Sequence, residues 1–291
     1  MDLYIQFVVD ALLQGAIYSL VAVGMSLCFG VTRIINFAYG EFVMLGAYGA
    51  FWLSTIWGID PIIALPLLAV LGYACGLLTF RTCITRVLDA PQINQILLTF
   101  GIGLVLQNFA VIAWTGDVRS LQPRYALESF NFGNVILPTG QLIAVVIVIL
   151  SVAALAFWLE RAELGRATQA IAQNGQAASL VGINVKFVYE LSFSISSAMA
   201  VASGVVMSFL VPIFPFMGFG IIVKVFAIVI LGGLGSIAGS IAGAFVLALS
   251  ETAVAYFVPD GNAWAEGVAF AVLISILIIR PSGIVHQALE D

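Results

Sequence analysis

Charge is scarce in this chain. Of its 291 residues only 9% are Asp, Glu, Lys or Arg, while 62% are hydrophobic. The two lysines, Lys186 and Lys224, each follow a valine. A phosphate-binding P-loop needs a Gly-Lys pair before Ser or Thr, so the sequence carries no such ATP site. The single histidine, His286, lies after the last apolar run and rules out a His-rich metal centre or a His-dependent triad within the bundle. Three cysteines, Cys28, Cys75 and Cys83, fall in or beside apolar runs without metal-ligand spacing and read as packing residues. No basic patch suggests nucleic acid, and no low-complexity tract is present. No Lys or Arg precedes Arg33, so the first apolar run lacks a signal-peptide n-region and is expected to persist as a helix.

What remains is mostly hydrocarbon, with a mean hydropathy of +1.15. Uncharged stretches occupy 11–32, 42–59, 61–80, 90–116, 129–159, 191–223 and 225–250, and most reach the roughly 20 residues that span a bilayer. Alternating β-barrel patterning is missing. The expected fold is therefore all-α, a polytopic membrane helix bundle forming a single transmembrane domain over 1–291. Eight or nine crossings are expected near 5–32, 41–58, 62–82, 92–113, 139–160, 186–211, 220–233, 236–257 and 263–280. The seventh is short and lies between VPIFPFMGFG and LGGLG, so a broken or re-entrant helix is expected near 211–235.

Basic residues set the expected orientation, because Lys and Arg accumulate on the cytoplasmic side. Alternate loops and the tail carry Arg33, Arg81, Arg86, Arg161, Arg166, Lys186 and Arg280, against Arg119 and Arg124 on the other side. That bias predicts a multi-pass protein with its N-terminus outside and its C-terminus inside. The segment 114–138 then becomes an outer loop, and 161–186 an inner one.

The few polar groups fall in recognisable places. GVTRIINFAYGEF (30–42) brings Arg33, Asn36, Tyr39 and Glu41 to the turn between the first two helices. Asn36, Tyr39 and Gly40 supply turn chemistry there, and Arg33 is within pairing range of Glu41. The turn reads as a capped corner anchoring two helices, or as an inner gate. Gln92, Gln95, Thr99, Gly103 and Gln107 recur every three or four residues and share one face of the fourth helix. That face is expected to be buried, for interhelical hydrogen bonds or along a hydrated path. Lys224 and Glu251 stand alone in apolar runs and are candidates for contact with solute or for gating. Gly235, Gly239 and Gly243, and Gly15, Ser19, Ala22, Ser26 and Gly30, form small faces that suit close helix packing. In 161–186, helix formers occupy 166–173 and 176–182 with Asn174 and Gly175 between them, which predicts two short helices.

Three stretches carry a family resemblance: LLQGAIYSLVAVGMSLCFGVTRIINFAYGEFVMLGAY (12–48), GRATQAIAQNGQAASLVGIN (165–184), and VFAIVILGGLGSIAGSIAGAF (225–245) with the ending IIRPSGI (278–284). Together they resemble the LivH-like permeases, membrane subunits of bacterial importers powered by separate ATPases and moving branched-chain amino acids. The resemblance implies alternating access in the bacterial inner membrane, with ATP bound by partner subunits and no cofactor in this chain. It implies a second homologous permease subunit, two cytoplasmic ATPase subunits and a periplasmic solute-binding protein, besides membrane lipid and no nucleic acid. It also implies that the inner loop couples to the ATPases through Glu163, Gly165, Arg166, Ala170, Asn174, Ala178 and Gly182. Asn36, Tyr39, Glu41, Gln95, Thr99, Gln107, Lys224 and Glu251 become candidates for the translocation path or its gate. Asp60, Asp117, Glu128, Asp260 and Glu266 would form an acidic outer face for the binding protein. Relatives with similar motifs import urea or amides, and an ion-coupled carrier or channel, or a membrane-embedded enzyme, is a separate alternative.

Overall fold

The computed structural model describes residues 2–133 and 135–279. Arg280, His286 and most of the 278–284 ending lie outside these residues, as does the side chain of Glu266. In chain order the elements are α1 (Asp2–Thr32), α2 (Tyr39–Trp57), α3 (Pro61–Thr82), α4 (Gln92–Trp114), α5 (Arg124–Leu127), β1 (Ser129–Phe132), β2 (Val135–Pro138), α6 (Thr139–Arg161), α7 (Glu163–Gln173), α8 (Gly175–Leu180), α9 (Val185–Met207), α10 (Met217–Gly232), α11 (Ile237–Phe257) and α12 (Gly261–Ile279). A polytopic helical bundle is what these elements build.

Local chemistry fixes most of the boundaries. Gly58 ends α2 at φ 65° and donates its N–H to Ser54, while Ile59 donates to Leu53, the paired bonds of a left-handed cap. Asp60 opens α3 by accepting from the Ile62 N–H at 2.8 Å, with Pro61 in the first helical position. Asn174, Asn184 and Ser236 cap α8, α9 and α11 in the same way.

By length and composition, α1, α3, α4, α6, α9 and α11 are able to cross a membrane. The 16 residues of α10 rise only about 24 Å, short of a hydrocarbon core of roughly 30 Å. It is entered through the non-helical segment 208–216 and left through Gly233 and Gly235, both at positive φ. This is the broken element expected near 211–235. The count of eight or nine crossings is approximate, because α2, α10 and α12 fall outside the six.

Buried α1 and α9 form the centre. α9 packs on α1, α2 and α3, while α11 packs on α1, α10 and α12. Backbones approach closely at two crossings: a β-carbon on Gly204 would strike the Val43 carbonyl, and one on Gly232 the Gly239 carbonyl. The second contact places Gly239 and Gly243 at the α10–α11 crossing inside this chain, while Gly235 packs against Gly30 of α1. The outward sides of α3, α4 and α6 carry exposed Leu, Ile, Val and Phe.

One feature at an end of the bundle departs from the helical expectation. β1 and β2 pair antiparallel, Ser129 opposite Pro138 and Phe132 opposite Val135. Gln6 of α1 holds this hairpin by donating to the Ile136 carbonyl (2.9 Å) and accepting from the Ile136 N–H (2.8 Å). The hairpin thus marks the end where α1 begins. The α7–α8 pair lies at the opposite end, where Thr168 and Gln169 share a recess with Gly30 and Arg33 of the α1 terminus and with Gly235.

Candidate functional site

Three helices bring four polar side chains together on the hairpin side of the bundle. α1 contributes Gln14 and Tyr18 at i, i+4, α10 contributes Lys224 from its middle, and α11 contributes Glu251. Tyr18 donates to Glu251 Oε2 at 2.7 Å, and Gln14 donates to the same oxygen at 3.2 Å and to the Tyr18 hydroxyl at 2.8 Å. Lys224 Nζ donates to the Tyr18 hydroxyl at 3.3 Å and lies 3.2 Å from Glu251 Oε1. Its ammonium also sits 5.7 Å from the centre of the Tyr18 ring. The Glu251 side chain is 6% exposed and that of Lys224 24%. Glu251 is therefore paired inside the bundle. Burying either charge alone would cost several kcal/mol, and the pair with its two neutral donors offsets that.

Above this cluster, nearer the hairpin, Gln6 donates to Asp10 at 2.9 Å and Tyr256 also donates to Asp10. Gln6, Asp10, Gln14 and Tyr18 thus form a column spaced by four along α1. Two recesses meet at the cluster. The outer one, about 760 Å³, is lined by Gln6, Asp10, Glu251, Thr252 and Tyr256; the inner one, about 360 Å³, is largely apolar. Gln14, Gln141 and Lys224 line both.

The corner between α1 and α2 is a second site, running from the exposed Arg33 to the buried Glu41. Arg33 closes α1 at φ 58°, a left-handed conformation that costs a non-glycine residue about 1 kcal/mol or more. Its side chain is exposed and faces the recess beside Thr168 and Gln169. The expected Arg33–Glu41 pair does not form among the described residues. The left-handed turn sends Arg33 outward, whereas Glu41, in the first turn of α2, points into the bundle. There it is 5% exposed, with no hydrogen-bond partner for Oε2 among the described residues. Asn36, fully buried, accepts the Ala38 N–H at 3.0 Å and so turns the chain into α2. Tyr39 donates to the Val21 carbonyl at 2.8 Å and ties α2 to α1.

The polar face of α4 lies against this corner. Thr99 accepts the Phe37 N–H at 3.2 Å and lies 3.1 Å from the Ile35 carbonyl, while Gln95 turns its amide to the carbonyls of Val87, Leu88 and Ala90. Gln107 lines a narrow crevice with Glu41, Phe37, Gly103 and Phe219. So Thr99 fastens α4 to the turn, while Glu41 and Gln107 share a crevice midway along α4 whose other wall, Phe219 and Ile222, belongs to α10, the helix that carries Lys224. The column on α1 escaped the sequence reading, although Gln6, Asp10, Gln14 and Tyr18 show the same four-residue spacing as the α4 stripe.

The α7–α8 loop splits into inward and outward faces. Gly165, Thr168, Ile171 and Ala178 are buried; Gly165 abuts the Trp158 carbonyl closely enough to leave no room for a β-carbon. Asn174 accepts the Ala177 N–H at 2.9 Å, Ala170 is half-buried, and Glu163 and Arg166 are exposed. Gly182 lies at φ 89°. Just before it, Leu180 is 88% exposed and Val181 78%. Of the candidate coupling residues Gly165 and Ala178 are thus interior, and the outward apolar surface belongs to Leu180 and Val181.

In the loop at the hairpin end, Arg119 is held against two helices: it donates to the carbonyl of Trp114 at the end of α4 at 2.8 Å and stacks over Phe51 and Trp52 of α2. Asp60 accepts from Tyr125 at 3.3 Å. Burial and that carboxylate push the Tyr125 phenol above its usual pKa, so it remains a donor at neutral pH.

The model of the branched-chain amino acid transport system permease component matches residues 7–277. The high-affinity branched-chain amino acid transport system permease protein BraD of Pseudomonas aeruginosa is 29% identical, across 98% of this chain and 96% of that protein. The corresponding protein LivH of Escherichia coli is also 29% identical, across 98% and 96%. Its fellow permease protein LivM, from the same organism, is 25% identical across 95% of this chain and 69% of that protein. No solved structure matches. With a family match over nearly all of its length and a bundle of apolar helices to go with it, the chain belongs to the branched-chain amino acid transport system permease components.

Proposed function

We propose that this chain is a permease subunit of an ATP-driven importer of branched-chain or other neutral amino acids, working by alternating access in the bacterial inner membrane. The observation that carries the reading is the family match over residues 7–277, joined by near-complete coverage of BraD and LivH. The likeness to both LivH and LivM, two permease proteins of one organism, supports pairing with a second homologous permease subunit.

The remaining partners are two ATPase subunits and a periplasmic binding protein. The absence of a Gly-Lys phosphate loop from the sequence is in keeping with ATP hydrolysis elsewhere. The bias of basic residues supports an outer hairpin end and a cytoplasmic α7–α8 end. On that orientation, Leu180 and Val181 present an apolar tip to the ATPases. Closure of the ATPases pushes α7 and α8, which are packed on α6 and α9, and tilts the bundle between its two states.

Uptake of labelled leucine by cells expressing the full complex, competed with leucine, alanine, phenylalanine and urea, tests the substrate. Competition by leucine and not by urea is expected. Competition by urea alone would overturn the amino-acid reading.

A further inference from the structure

Resting on that transport reading, we propose that the junction of the two recesses is a binding site for the zwitterionic head of the amino acid, with the inner recess holding its aliphatic side chain. Within the site Lys224 meets the α-carboxylate, and Glu251 and Gln141 meet the α-ammonium.

The chemistry of the junction is that of a zwitterion receptor. One cation and one anion stand 3.2 Å apart, the spacing of two charges that a zwitterion can bridge. Glu251 keeps acceptor capacity: Oε2 accepts from Tyr18 and Gln14, whereas Oε1 pairs with the Lys224 ammonium at 3.2 Å without a hydrogen bond among the described residues. A second acceptor, Gln141 Oε1, is buried at the same junction without a hydrogen-bond partner among the described residues. Two such acceptors suit an incoming ammonium. Lys224 lines both recesses and retains partial exposure, so a carboxylate arriving through the outer recess reaches it.

An ion pair in a membrane bundle needs such a reason. Apolar replacements of buried pairs are often neutral or stabilising, so packing alone does not account for two charges here.

The inner recess supplies the other half of the specificity. Ile17, Val21, Met207, Leu210, Met217 and Ile228 surround about 360 Å³, at the small end of the range for ligand pockets. Such a wall accepts a branched alkyl group. Gly220 also lines this space, and a β-carbon there meets nothing within 4 Å. A larger side chain at that position changes the wall of the recess without striking the bundle.

Two variants test the site in the complete complex, reconstituted with ATP and its binding protein, by measuring kcat/KM for leucine and for alanine. Gly220→Leu is expected to lower the leucine-to-alanine ratio about tenfold, the discrimination that lost room for a few methylenes provides. The exchanged pair Lys224→Glu with Glu251→Lys keeps opposite charges in the bundle but reverses the head-group contacts. It is expected to lose leucine uptake about tenfold or more. An unchanged leucine-to-alanine ratio in Gly220→Leu, or wild-type uptake by the exchanged pair, would overturn the site. If the exchanged pair does not assemble, Gly220→Leu decides. A wild-type complex that imports neither amino acid would overturn the transport reading itself, and the site with it.

Discussion

The carboxylate of Glu41 lies directly against Gly218: a β-carbon at Gly218 would stand 2.5 Å from Glu41 Oε2 and 2.7 Å from Oε1. The first turn of α2 is thereby fitted to the first turn of α10. Both the buried acid and the missing side chain are needed for the contact. Gly218→Ala is expected to destabilise the purified complex by about 1–2 kcal/mol through overpacking. In a Glu41→Ala background the same substitution should cost little, because the clashing group is gone. Thermal unfolding of the four members of this cycle reads the coupling; equal penalties in both backgrounds would show that the two residues are independent.

The hydroxyl of Thr99 is the fastening between α4 and the α1–α2 corner. Thr99→Val keeps the shape but leaves the half-buried Phe37 N–H without its acceptor, at an expected cost of about 1–2 kcal/mol. Thr99→Ser should recover most of it. Asn36→Ala removes the acceptor of the Ala38 N–H in the same corner. If the corner also gates the pathway, Asn36→Ala slows uptake in a complex that still assembles; normal uptake with normal assembly would leave the corner a structural turn.

Much of this arrangement was legible in the sequence because hydrophobic runs and their stops are local signals. The fourth crossing, expected at 92–113, is α4 at Gln92–Trp114, and Asn174 with Gly175 divides the inner loop as expected. The short helix that begins within VPIFPFMGFG was likewise visible as a run too brief to span a bilayer, although it starts at Met217 rather than at the expected 220. What escaped depends on direction and on distant partners. Arg33 adopts a left-handed φ, which turns its side chain away from Glu41, and no pattern of residue types states that. The hairpin at 129–138 hid inside an apolar stretch, although Gly133 and Asn134 between FNF and VIL are a turn signal. Lys224 and Glu251 were each visible as isolated charges. Their meeting across α10 and α11 depends on the helix crossing and is written in neither segment.

The tip of the α8 helix offers a separation of folding from assembly. Leu180→Glu or Val181→Glu places a charge on a surface already exposed, so the chain should fold with a stability change within about 0.5 kcal/mol. Co-purification of the ATPase subunits should nevertheless fall sharply. Ala178→Leu is the converse case: at a buried position it overfills the loop and should destabilise it by about 1–3 kcal/mol. Retention of the ATPases by the two charged variants would place the coupling surface elsewhere on the loop.

The most direct measurement of import powered from outside this chain is leucine accumulation by proteoliposomes. Vesicles would hold either this permease with its partner permease alone, or the same pair with the ATPases and the binding protein. Accumulation that requires ATP and the ATPases, and that persists when ion gradients are collapsed, is the expected result. Accumulation driven by an ion gradient in vesicles without the ATPases would contradict it and make the chain a carrier in its own right.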